Sequence, residues 1–294
     1  MAIEKITIVG VGLIGGSFAK GLKQRNTTLK HPVIITGYDA SEDSLKKAVE
    51  LGVIDHYDTN LSSAVNAADL VLLAVPMGAI EAVLFEIKPY LKPSAIITDV
   101  GSAKTSVLAS VEKVFGKTAP TFVAGHPIAG KEQSGVEAAC GDLFIDHRVI
   151  LTPTEQTDRV ALQEVSRLWE ALGACLTEMA PDFHDEVFAA TSHLPHLLAF
   201  SLVDMLNDHE ELGNVFQYTA GGFRDFTRIA SSDATMWRDI AMHNSEAIVK
   251  WLRNYQAEID NVVELIEHRD ADALFQLFKV AKTARDTHLV KDTL

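Results

Sequence analysis

Gly10-Val11-Gly12-Leu13-Ile14-Gly15 follows the β-branched run Ile6-Thr7-Ile8-Val9 and opens a stretch, Ser17 to Gln24, in which Phe18 and Leu22 fall on one helical face. Strand, glycine-rich turn and helix in that order begin a dinucleotide-binding unit. The first glycine permits the tight turn, the second lets backbone approach a pyrophosphate, and the third lets helix pack closely on strand. Leu13 and Ile14, at the start of the helix, offer N–H groups to the phosphates. A second run, Val33 to Tyr38, ends on Asp39, 24 residues after Gly15. A carboxylate there accepts ribose hydroxyls and repels the 2′-phosphate of NADP, so the expected cofactor is NAD, held by the three glycines, Leu13, Ile14 and Asp39. Glycine clusters also open helices for steric reasons alone; the flanking strand and helix carry the weight.

Short β-branched runs alternate with helical stretches as far as about residue 152. Strands are expected at Lys5 to Val9, Val33 to Tyr38, Leu70 to Ala74, Ala95 to Thr98, Thr121 to Ala124 and Arg148 to Leu151. Alternation of that kind gives an α/β fold with a doubly wound Rossmann-type sheet. Val75-Pro76 and Asp99-Val100-Gly101-Ser102 each follow a strand, at the carboxyl edge where ligands bind, and Val75 and Pro76 join the expected cofactor set.

After Pro181 the strand signal gives way to helical periodicity. Phe183, Val187, Ala190, Leu194, Leu197, Leu198, Ser201, Leu202 and Met205 recur at three- and four-residue steps, with a kink expected at Pro195. A single long helix is expected from Ala234 to Ile266, its apolar stripe including Trp237, Ile240, Trp251, Tyr255 and Ile259. So long a stripe calls for cover by a partner subunit, hence a homodimer through the helical domain; a monomeric helical core is the alternative. The expected domains are a dinucleotide-binding domain, 1–180, and an all-α substrate and dimerisation domain, 181–294.

Composition bounds the function. The chain has 294 residues and a formal charge of −14, which argues against nucleic-acid and anionic membrane surfaces. Cys140 and Cys175 lack metal-ligand spacing or a paired framework and are expected to be buried thiols. The amino terminus enters a strand without a basic-then-apolar leader, and no apolar run reaches the roughly 18 residues of a span. A cytoplasmic location is expected.

Three clusters hold chemistry-bearing side chains. Gly125-His126-Pro127-Ile128-Ala129-Gly130 follows the fifth expected strand, where a loop histidine can act as a base near neutrality or serve as a turn or surface residue. Ser192-His193-Leu194-Pro195-His196 places two histidines on one helix without a third metal ligand in suitable spacing, so no metal is expected and satisfied core histidines are the default reading. Ala220-Gly221-Gly222-Phe223-Arg224-Asp225-Phe226-Thr227-Arg228 carries two guanidinium groups fit for carboxylates or for surface ion pairs.

Taken together, the glycine turn, Asp99-Val100-Gly101-Ser102-Ala103-Lys104, the His126 and His196 clusters, and Gly222 to Arg228 with Trp237-Arg238-Asp239 resemble the prephenate/arogenate (cyclohexadienyl) dehydrogenase family, in family order over nearly the whole chain. The resemblance implies NAD-dependent oxidative decarboxylation of prephenate to 4-hydroxyphenylpyruvate in tyrosine biosynthesis, with arogenate or dual specificity as the alternative. It implies His126 as the base at the C4 hydroxyl and Ser102 as its orienting partner. His196 and Arg228 then line the substrate pocket with Trp237, and Lys131 and Glu132 shape it. Some relatives carry threonine at the position of Lys131. Tyrosine, resembling the product, is a candidate inhibitor. The chain ends at Leu294, soon after the last expected helix, and no fused regulatory or mutase domain is expected. A β-hydroxyacid dehydrogenase would need a catalytic lysine in the second domain, where Lys250 lacks a companion motif. A non-catalytic NAD-responsive binding protein would not need His126, Ser102 and Arg228.

Overall fold

The computed structural model describes residues 3–25, 32–116, 119, 121–131, 133–209 and 213–289. β1 (Lys5–Val9), β2 (Ile34–Tyr38), β3 (His56–Tyr57), β4 (Leu70–Leu73), β5 (Ile96–Asp99) and β6 (Phe122–Val123) form a six-stranded sheet in the order β3-β2-β1-β4-β5-β6. Every neighbouring pair is parallel. The order reverses between β1 and β4, so the crevice at their carboxyl ends is the binding edge of an open parallel sheet.

The connecting helices are α1 (Leu13–Gln24), α2 (Glu42–Glu50), α3 (Leu61–Val65), α4 (Ile80–Ile87), α5 (Thr105–Phe115) and α6 (Arg159–Ala171). β4 shows why the sheet is covered on both faces. Leu70 and Leu72 join Phe18, Leu22 and Trp169 in one core, while Val71 and Leu73 join Leu84, Val107 and Val111 in the other. Strands buried on both faces read as continuous apolar runs, which is how this one is written. Phe18 and Phe144 meet Trp169 edge-on at 4.9 and 5.0 Å.

Arg148–Leu151 does not join that sheet. As β8 it pairs antiparallel with β7 (Gly125–Pro127) and parallel with β9 (Cys175–Glu178). His126, expected in a loop, therefore lies on a short strand opposite Ile150. The local pattern of Arg148–Leu151 specifies a buried strand but not its partner, and β3 and β9 are too short or too exposed to announce themselves.

Beyond β9 the described elements are helical: α7 (Pro181–Phe188), α8 (Leu194–Asn207), α9 (Gly221–Thr227), α10 (Ala234–His243), α11 (Ser245–Glu267) and α12 (Ala271–His288). A π-turn, Ala189–His193, joins α7 to α8. Pro195 sits in the first turn of α8, where its missing N–H is tolerated, so the expected kink takes the form of the widened turn before it. Phe183 and Met205, expected on the buried stripe, are 58% and 50% exposed.

The single helix expected from Ala234 to Ile266 is two, broken at Asn244 (φ −123°, ψ 34°). The Asn244 side chain is drawn inward: Nδ2 donates to the Asp185 carbonyl at 2.8 Å and to His193 Nδ1 at 3.2 Å. Cys140 is half-buried and Cys175 exposed, against the expectation of two buried thiols. Among the described residues, no helix is long and apolar enough to cross a membrane.

The chain divides into two compact units, Met1–Ser245 and Glu246–Leu294. The second consists of most of α11 and all of α12, and it exposes Tyr255, Ile259, Val263, Ile266, Phe275 and Phe278. The first contains every described residue of the candidate site.

Candidate active site

The glycine turn takes the shape that a pyrophosphate requires. Gly10 has φ +99°, and a Cβ there would lie 2.4 Å from the Ala74 carbonyl oxygen, so only glycine fits. A Cβ on Gly15 would lie 2.1 Å from the Gly10 oxygen and 2.9 Å from Ile8 Cγ2, because α1 rests directly on β1. Gly12 differs: a Cβ there meets nothing within 4 Å. Gly12, Leu13 and Ile14 are each partly open to solvent at the amino end of α1, where no side chain caps the helix. That combination of tight turn, open middle and bare helix terminus fits a dinucleotide phosphate.

Asp39, just past β2, is anchored by N–H groups of Val11 (2.9 Å) and Ser41 (3.0 Å). A carboxylate oxygen has two acceptor sites, so lone pairs remain for ribose hydroxyls. Half-buried Val75 and exposed Pro76 follow β4 on the same edge. The turn after them is tied to α10, because Gly78 donates its N–H to Asp239 at 3.1 Å. Arg238 beside Asp239 holds its carboxyl below the usual range, and the Gly78 N–H adds to that against a weaker effect of burial.

The centre of the site is a fully buried ion pair. Lys104 Nζ contacts Asp99, and also donates to the Gly125 carbonyl at 2.6 Å. Asp99 accepts the N–H of Gly101 at 2.8 Å and of Gly125 at 3.1 Å. Those glycines immediately precede Ser102 and His126. One carboxylate thus sets the backbone at both predicted catalytic residues.

His126 is held by α7. Its Nδ1 lies 2.8 Å from His184 Nε2, and His184 Nδ1 lies 2.8 Å from Asp185 Oδ1. Phe188 packs against both imidazoles, with ring centroids 5.0 and 4.6 Å away. Burial pushes the His126 pKa well below the ordinary imidazole value, and charge on His184, Lys104 and His193 pushes the same way. His184 and Asp185 were missed in the sequence, where the helical phase put Phe183 inward. The available signal was a polar pair on the face that continues through Phe188 and Ala189.

The second cluster lies beside the first. His193 is neutral near pH 7, its pKa lowered to about 4 chiefly by burial. Its Nε2 is buried and has no hydrogen-bond partner among the described residues. His196 stacks on Trp237 with centroids 3.9 Å apart and planes at 21°. Burial lowers the His196 pKa, and the neighbouring Arg228 charge contributes. His196, Arg228 and Trp237 are therefore together. Lys131 is exposed, and Glu132 lies outside the described residues.

The family model described as prephenate dehydrogenase, nucleotide-binding domain, matches residues 18–178, and that for the prephenate dehydrogenase dimerization domain matches 180–280. The chain is similar to a Bacillus subtilis prephenate dehydrogenase, 39% identical over 96% of this chain and 76% of the relative. It is similar to a cyclohexadienyl dehydrogenase of Zymomonas mobilis at 36%, over 96% and 95%. Among solved structures, prephenate dehydrogenase from Aquifex aeolicus in complex with hydroxyphenyl propionate and NAD+ superposes with a TM-score of 0.90, at 37% identity over 98% of this chain and 99% of that one. A Synechocystis arogenate dehydrogenase gives 0.79 at 30% identity, over 97% and 99%.

Two outcomes are expected of this geometry. Gly12→Ala should keep wild-type thermal stability yet weaken NAD binding at least about tenfold in a fluorescence titration, whereas Gly15→Ala should lose about 1–3 kcal/mol of stability through overpacking. Because His126, His184 and His193 are held neutral by burial, the unfolded chain binds more protons below pH 6.5. Their contribution to stability is complete above pH 6.5 and falls toward pH 4, which urea unfolding across that window measures; His193→Gln should flatten the slope.

Proposed function

We propose a reaction for this chain on one premise: it belongs to the prephenate dehydrogenase family. The reaction is oxidative decarboxylation of prephenate to 4-hydroxyphenylpyruvate with release of carbon dioxide, NAD-dependent, as a step toward tyrosine. This sets aside the β-hydroxyacid and non-catalytic alternatives. The observation that carries the assignment is the Asp99 clamp, which brings Ser102 and His126 to the same sheet edge as the glycine turn and Asp39.

Bound NAD supplies the hydride acceptor. His126 takes the C4 hydroxyl proton at Nε2, which favours the positive charge developing at that carbon as it is oxidised. Ser102 orients the hydroxyl and the imidazole. Loss of the C1 carboxylate as carbon dioxide then makes the ring aromatic. Arg228 positions the substrate dianion without gripping the departing carboxylate, since tight ground-state binding of a leaving group would raise the barrier. His196 and Trp237 form a flat wall for the ring, Val75 and Pro76 a floor for the cofactor, and Lys131 and Glu132 keep the substrate-binding role that the family resemblance implies.

The same reading divides function near residue 180, with the helical part serving substrate and dimer. The apolar side chains exposed on α11 and α12 support a homodimer. A cytoplasmic location and competition by tyrosine belong to the proposal. The relatives' names span prephenate, cyclohexadienyl and arogenate, and dual specificity is the second reading.

NADH formation should show a larger kcat/KM with prephenate than with arogenate; the reverse order would assign arogenate. In the same assay His126→Asn should lower kcat by about 10²-fold or more, while Arg228→Ala should raise KM far more than it lowers kcat. Near-normal turnover in the first variant, or equal loss of turnover in the second, contradicts these roles.

A further inference from the structure

The hydrogen bonds behind His126 form a chain whose polarity is fixed at its far end. Asp185 accepts backbone N–H groups of Lys104 at 2.7 Å and Thr105 at 2.9 Å, at the start of α5. Amides only donate, so this carboxylate is an acceptor throughout, and His184 Nδ1, 2.8 Å from Oδ1, carries hydrogen. Neutral His184 then has a bare Nε2, and His126 Nδ1, 2.8 Å away, must donate to it. The nitrogen left without hydrogen on His126 is Nε2.

We infer that His184 and Asp185 are positioning residues that hold His126 in the tautomer with hydrogen on Nδ1 and a lone pair on Nε2, and that take up the charge His126 acquires. The inference rests on His126 being the base.

Proton bookkeeping supports it. When Nε2 gains the hydroxyl proton, the Nδ1–H bond of His126 can break as an N–H bond forms on His184 Nε2. The positive charge then moves next to the Asp185 carboxylate. Left on His126, that charge would be buried and would face Lys104, His184 and His193, with Asp99 already engaged by Lys104 and two backbone N–H groups. Burial would raise the Asp185 carboxyl, but hydrogen bonds from His184, Thr105 and Lys104 outweigh it and keep the group ionised. Asn244 steadies this segment through the Asp185 carbonyl.

In the wild-type enzyme, ¹⁵N NMR of neutral His126 should show a protonated Nδ1 and a bare Nε2; the opposite pattern overturns the inference without need of any variant. Asp185→Asn should reverse that pattern and lower kcat about 10²-fold or more, with KM for prephenate changed less than about threefold. His184→Gln, which can present a carbonyl oxygen to His126 Nδ1–H, should recover at least about tenfold in kcat over His184→Leu. Wild-type kcat in both Asp185→Asn and His184→Leu, beside an inactive His126→Asn, would sink this inference and leave the base intact. Wild-type kcat in His126→Asn would sink the base reading itself.

Discussion

The Asp99–Lys104 pair is the constraint from which the site is built. Both side chains are fully buried, and stripping water from two ions costs several kcal/mol each. Such a pair persists only if other groups complete its hydrogen bonds, and here those groups are the N–H of Gly101, the N–H of Gly125 and the carbonyl of Gly125. The need to satisfy a buried charge thus becomes positional accuracy for the two residues that follow. A side chain on Gly101 would press on Asp99 Oδ2 at 2.9 Å, so the clamp also dictates that glycine.

The electrostatics of the pocket follow from the same economy of water. The chain carries a formal charge of −14, yet its substrate is proposed to be a dianion. Four histidines near the centre, His126, His184, His193 and His196, all have their pKa values lowered with burial as the leading cause. They act as neutral donors and acceptors with defined tautomers, and Lys104 is already matched by Asp99. Arg228, exposed at the end of α9, is the cation proposed to attract the carboxylates.

How much of this was legible in the sequence depends on range. The glycine turn, the strands around it and Asp39 were readable because their signals are local: backbone conformation at Gly10, β-branched runs, and spacing. His126, Ser102, His196, Arg228 and Trp237 were found by resemblance, since spacing alone left each of them open. What escaped depends on contacts far along the chain. Arg148–Leu151 reads as a strand whatever sheet it joins, and Asn244 looks like any polar helix residue until Asp185 and His193 claim its side chain. His184 and Asp185 break the apolar rule on the buried face of α7, and the distant groups they bind, the His126 imidazole and backbone N–H groups at residues 104 and 105, are displayed by no periodicity.

The π-turn at Ala189–His193 changes the angular phase between the helices it joins. In an unbroken α-helix, nine residues separate His184 from His193 by about half a rotation, on opposite sides of the cylinder. An i→i+5 turn absorbs roughly one additional residue and so winds the later residues back by about a quarter rotation. Asn244 reaches both segments, donating to the Asp185 carbonyl and to His193 Nδ1, which shows the result. The widened turn works as a gear offset: it lets one continuous rod present imidazoles from successive segments toward a common centre, which regular winding would have pointed apart.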